Sequence, residues 1–71
     1  MYESRDRAKL LTENQMCICR CPEWCEEGYQ IATWNGEKFE YDADPNGGFD
    51  KSVIAFFPLT DDGYPSRLNK V

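Results

Sequence analysis

Cys17, Cys19, Cys21 and Cys25 lie in Cys-Ile-Cys-Arg-Cys-Pro-Glu-Trp-Cys, so all four thiols of the chain fall within nine residues. Three chemistries compete for such a cluster. As disulfides, four cysteines allow three pairings. An i,i+2 bridge such as Cys17–Cys19 is strained. The pairing without one, Cys17–Cys21 with Cys19–Cys25, interlocks over a very short stretch and removes little denatured-state entropy. As a metal site, four thiolates would hold a structural zinc at about 2.3 Å in a tetrahedron. In an extended strand Cys17 and Cys21 would stand about 13 Å apart. A shared ion therefore requires the segment to curl, with Pro22 bending it and Cys25 returning from the next turn. Glu23, Glu26 or Glu27 could complete the shell if one thiol fell short, and Arg20 would offset part of its charge. As redox or nucleophilic groups, the thiols lack the two-residue spacing of a thioredoxin-like pair. The sequence also has no histidine to activate a thiolate. The balance favours structural zinc on Cys17, Cys19, Cys21 and Cys25 and assigns no catalytic residue.

The rest of the chain must position that cluster. At 71 residues it has room for one small domain, whose core alone is marginal. A metal would supply folding energy there. Residues 5–13 read as a short helix with Ser4 as N-cap. Tyr29–Trp34 and Glu37–Tyr41 flank Asn35-Gly36, the dipeptide best suited to a type I′ hairpin turn. That turn would set Trp34 opposite Glu37 and Ala32 opposite Phe39. Val53–Phe57 is a β-prone apolar run stopped by Pro58. Asp44-Pro45-Asn46-Gly47-Gly48 reads as a loop. The expected fold is α+β: a short N-terminal helix (1–16), a compact zinc loop (17–28), a small three-stranded antiparallel sheet (29–60) and a polar tail (61–71). Residues 1–16 contain no apolar stretch of signal-peptide type, and no run approaches the length of a membrane span. A reducing compartment is expected.

Thirteen acids against eight bases give a net charge of −5. The excess lies in residues 21–62, where ten acids face only Lys38 and Lys51. Such a middle segment argues against direct nucleic-acid binding, which needs clustered Lys and Arg. It favours a basic protein partner, met by Glu37, Glu40, Asp42 and Asp44 around the hairpin and by Asp61 and Asp62 further on. Acids that merely keep a small surface soluble are the plainer alternative. Tyr2 and Tyr64, near the ends, are expected to be exposed, while most other aromatics should form the core.

In length, charge and the Cys17-x-Cys19-x-Cys21-x3-Cys25 cluster, the chain resembles small acidic zinc-containing phage anti-CRISPR proteins of the type II-A group. The resemblance implies a metal-stabilised fold in the host cytoplasm. It further implies an acidic surface that engages an RNA-guided Cas nuclease and blocks loading of target DNA. Phe56-Phe57-Pro58-Leu59 is similar to the end of some uncharacterised phage domains, a likeness that implies no activity. Two other classes stand beside this one: a zinc-supported interaction module acting on another host factor, and a small enzyme with an open metal position.

Overall fold

A computed structural model describes residues 2–44, 47–66 and 68, and in it the first three cysteines belong to a strand and its end. Five strands form one antiparallel sheet: β1 Glu3–Ser4, β2 Gln15–Arg20, β3 Tyr29–Trp34, β4 Phe39–Glu40 and β5 Ala55–Pro58. Their spatial order is β1-β5-β2-β3-β4. A 3-10 helix, Arg5–Leu10, and a single-turn helix α1, Phe49–Ser52, complete the regular structure. The α+β expectation holds in outline, with five strands where three were expected. The N-terminal helix is shorter than 1–16, and Ser4 occupies its N-cap position without a side-chain hydrogen bond. With only Ala8 buried on it, this segment has too thin an apolar stripe to hold a longer helix.

Alternation explains why β2 is central. Cys17 and Cys19 point inward and are fully buried, while Met16 and Ile18 point outward and are half-covered. A free cysteine behaves as a small hydrophobe, so this segment has the period-2 pattern of a strand with one buried face. It pairs with β3 along its whole length (Cys17 opposite Ala32, Ile18 opposite Ile31) and with β5 on its other side (Ile18 opposite Phe57). Among the described residues β5 meets β1 at Ala55 and Phe56, so Pro58, which lacks a donor, lies beyond that pairing.

The hairpin forms, with its turn one residue later than expected. Thr33 lies opposite Glu40 and Trp34 opposite Phe39. Asn35 keeps a negative φ, which a type I′ turn forbids, whereas Gly36 has φ 100°. The two-residue loop is Gly36-Glu37, closed by the Asn35 amide on the Lys38 carbonyl at 3.0 Å, and its first position needs the positive φ that glycine supplies. The Asn35 side-chain oxygen instead accepts the amides of Glu37 and Lys38, each at 2.8 Å. Because the slip changes the pairing by two residues, every side chain keeps its expected face.

The inner face is closed by the two helices. Ala8, Cys17, Cys19, Cys21, Ala32, Trp34, Phe39, Phe49, Val53, Phe56 and Leu68 form one buried cluster. Phe49 directly follows the 44–48 segment expected to be a loop and starts a helical turn that was not expected. Its amide donates to the Asp44 carboxylate at 2.5 Å, which starts α1 and drives the ring into the core. Asp50 ties three elements together. One of its carboxylate oxygens accepts from Arg5 and from the Phe39 amide, both at 2.7 Å. The Arg5 guanidinium lies 5.3 Å from the Phe39 ring centre. Of the expected polar tail, Thr60–Gly63 form a turn closed by the Gly63 amide on the Thr60 carbonyl at 2.9 Å, and Leu68 is buried. Arg67 and Lys70 lie outside the described residues, as do Pro45 and Asn46 of the 44–48 loop.

Candidate functional site

The cysteines do not gather around a point. β2 runs extended through Arg20, so the curl that a shared ion requires is absent there. Successive thiols on its inner face stand one strand repeat apart, about 7 Å between Cα atoms. Beyond β2 the chain does turn. The Trp24 amide donates to the Cys21 carbonyl at 2.9 Å, and the Gly28 amide to the Cys25 carbonyl at 3.1 Å. This brings Cys25 near Cys21 and leaves Glu23, Glu26 and Glu27 exposed. Among the described residues, no group of three or more Cys, Asp or Glu side chains is placed to hold an ion. All four cysteines are free thiols.

The electrostatics follow from burial. Loss of water pushes the Cys17 thiol up to about 12. Burial raises Cys19 further, helped by its neighbours Cys17 and Cys21. Burial and then the adjacent Cys25 push Cys21 up to about 11. In this arrangement the donor set does not fit a four-thiolate zinc, and three of its members are core side chains. Trp24 packs edge-on against Phe49 at 5.5 Å and Tyr41 at 6.2 Å, which holds the 21–28 turns onto α1.

The acids divide. Glu37, Glu40, Asp42, Asp61 and Asp62 are exposed, whereas Asp44 is half-buried with its carboxylate on the Phe49 amide. Topology brings some of them together. The 35–38 turn and the 60–63 turn both lie at the end of the sheet where β2 starts, because β3 and β5 run antiparallel to β2. Glu13, Glu37, Asp61 and Asp62 therefore share one end of the sheet. Glu40 and Asp42 lie along its β4 edge.

The outer face of the sheet carries a feature that no single segment reveals. Registers align Phe57 with Ile18 and Ile18 with Ile31, and the Tyr2 ring meets Phe57 edge-on at 6.2 Å. Phe57, Ile18 and Ile31 thus form an apolar row across three strands, continued by Tyr2 just before β1. Ile31 is 56% exposed and Tyr2 41%, and no described helix packs on this face. In the sequence, Tyr29, Ile31 and Thr33 alternate along one side of β3. The sequence could not show the row, which depends on the pairing of strands far apart in the chain. Among the described residues no helix is long and apolar enough to cross a membrane. In comparisons with protein-family models, curated proteins and solved structures, nothing matches this chain.

Proposed function

We propose that this protein is an acidic binding protein that seats the outer face of its sheet on a basic surface of a protein partner. The observation that carries the reading is the outward apolar row Tyr2–Phe57–Ile18–Ile31, exposed at Tyr2 and Ile31, half-covered at Phe57 and Ile18, and flanked by the exposed acids Glu40 and Asp42. An apolar stripe left open on a small sheet and bordered by charge has the anatomy of an interface, with a hydrophobic centre and a polar rim. The resemblance in length, charge and cysteine spacing supplies the class of partner: an RNA-guided Cas nuclease, whose loading with target DNA the protein blocks. Such a nuclease holds its duplexes in positively charged channels. Acids at the β4 edge and the 35–38 turn occupy those charges in place of phosphates, and the apolar row fixes orientation. The reading does not require zinc.

The test is target-DNA binding by the purified nuclease with and without this protein. Reversing Glu37, Glu40 and Asp42 to lysine together should abolish inhibition while leaving the melting temperature within a few degrees. Asp44 is left intact because it holds Phe49. Inhibition by the wild type should also weaken as salt rises. Full inhibition by the triple variant rejects the electrostatic reading.

A further inference from the structure

One flank of β3 is only half paired. The Cys21 amide donates to the Gly28 carbonyl at 2.7 Å, which extends the β2–β3 ladder by one step. Bonding in an antiparallel pair alternates, so Gly28, Gln30, Ala32 and Trp34 spend their backbone groups on β2. Tyr29, Ile31 and Thr33 present theirs to the opposite flank. The same parity holds at the turn, where the Asn35 amide donates to the Lys38 carbonyl at 3.0 Å. On that flank β4 pairs only as far as Thr33 with Glu40. The chain then turns away, and the Asp44 amide closes on the Tyr41 carbonyl at 2.8 Å. By this parity the Ile31 amide and carbonyl and the Tyr29 amide point away from β2 to a flank that the β4 pairing does not reach, and the Tyr29 carbonyl there accepts from the Cys25 thiol at 3.6 Å.

β1 and β4, the sheet's outermost strands, are two residues long, a common defence against edge-to-edge pairing. The open stretch of β3 has no such defence: Tyr29 and Ile31 are apolar and more than half exposed. Beside them lies a depression of about 470 Å³ lined by Glu27, Tyr29, Gln30, Ile31 and Tyr41. Glu40 and Asp42 line a neighbouring depression that shares Ile31 and Tyr41.

We infer that the open edge at Tyr29–Ile31 is a strand-addition site for an extended basic segment of the protein partner. The segment's backbone pairs with Ile31, an apolar side chain rests on Ile31 and Tyr41, and flanking Lys or Arg residues reach Glu27 and Asp42. Charge selects this occupant. A second copy would set the same acids against each other in a chain of net charge −5, and a nucleic acid would bring phosphates to carboxylates.

The inference rests on the reading of a basic protein partner, and its test keeps the two separable. Amide hydrogen exchange is followed by NMR on the full chain, alone and with three acetylated peptides: Arg-Val-Arg-Val-Arg, Arg-Pro-Arg-Pro-Arg and Glu-Val-Glu-Val-Glu. In the free protein Ile31 should exchange far faster than Gln30 and Ala32. Saturating Arg-Val peptide should slow Ile31 by about tenfold or more, while the Arg-Pro peptide, equal in charge but unable to donate in alternation, should not. The Glu27→Gln, Asp42→Asn double variant should weaken the Arg-Val effect several-fold. Slow exchange of Ile31 in the free protein, equal protection by the Arg-Pro or Glu-Val peptide, protection that appears on concentrating the protein alone, or no protection by the Arg-Val peptide each overturns the site. Protection at Ile31 without nuclease inhibition rejects the nuclease and upholds the edge. Inhibition in which the bound nuclease leaves Ile31 fast rejects the edge and upholds the nuclease.

Discussion

The two faces of β2 are built from neighbouring residues and behave in opposite ways. Inward, Cys17 and Cys19 vanish under Phe39, Phe56 and the helices. Outward, one residue away in each case, Met16 and Ile18 lie in a sheet face that no described helix covers. Alternation alone places these groups a strand's thickness apart. The difference separates two tasks. The inner face supplies the burial that a 71-residue chain needs to fold, and the outer face holds apolar area that folding leaves unused.

The largest expected effect comes from breaking the contrast on β5. Phe56 points inward and is fully buried, whereas its neighbour Phe57 points outward and is half-covered. Phe56→Ala should cost about 3–5 kcal/mol, comparable with the whole stability of a domain this size. It should leave the chain largely unfolded by circular dichroism. Phe57→Ala should remove about 1 kcal/mol or less and keep a cooperative melt. Equal losses at the two positions would erase the distinction between faces.

The cysteines sharpen the same comparison through pH. A buried neutral thiol whose folded value lies above the ordinary thiol value of about 9 keeps a proton that the unfolded chain has lost. Its stabilisation is therefore fully present below pH 8 and falls as pH rises toward 11–12. With Cys17 and Cys19 the most deeply buried, stability should fall by at most about 1.4 kcal/mol per thiol for each pH unit in that window, and by less at Cys21. A four-thiolate metal site has the opposite sign, losing stability on acidification as its ligands protonate. Melting temperatures between pH 5 and 11, with and without a chelator, decide between the two. The structure predicts an alkaline loss that a chelator does not change.

A smaller effect is expected at the join that closes the inner face. Asp50→Ala removes the partner of Arg5 and of the Phe39 amide, both partly buried. It should cost about 2–3 kcal/mol in urea unfolding, and Asp50→Asn less, because an amide oxygen still accepts. A loss below about 0.5 kcal/mol would show that the helices close the core without this join.

Particular residues explain what the sequence disclosed. Asn35-Gly36 announced the hairpin, since a glycine at a turn is a local requirement. The choice between Asn35-Gly36 and Gly36-Glu37 as central pair was not local, because it depends on where the Asn35 side chain finds amides to accept. A strand at the 53–57 run was legible from composition, but β5 begins at Ala55 and runs through Pro58, where the sequence placed its stop. β2 was hidden by the double nature of cysteine, which is a ligand when ionised and a small hydrophobe when buried. The period-2 alternation of Cys17 and Cys19 with Met16, Ile18 and Arg20 was the available signal. Phe49 was masked by its Gly- and Asp-rich surroundings, although Asp44 five residues earlier was the acceptor that starts its helix. Exposure of Tyr2 and Tyr64 was foreseen, and both are exposed. The outer row was beyond reach, because Tyr2, Ile18, Ile31 and Phe57 become neighbours only through three separate strand pairings.

The division of labour between the faces meets its most direct test at Ile31, exposed at the end of the row and set on the open edge of β3. Ile31→Lys adds a charge where water already reaches, so stability should change by about 0.5 kcal/mol or less. The measurement is inhibition of target-DNA loading by this variant, read beside its melting curve. The account predicts an unchanged melt and inhibition weakened at least tenfold, as expected for loss of a central apolar anchor. Wild-type inhibition by a folded Ile31→Lys protein would contradict it.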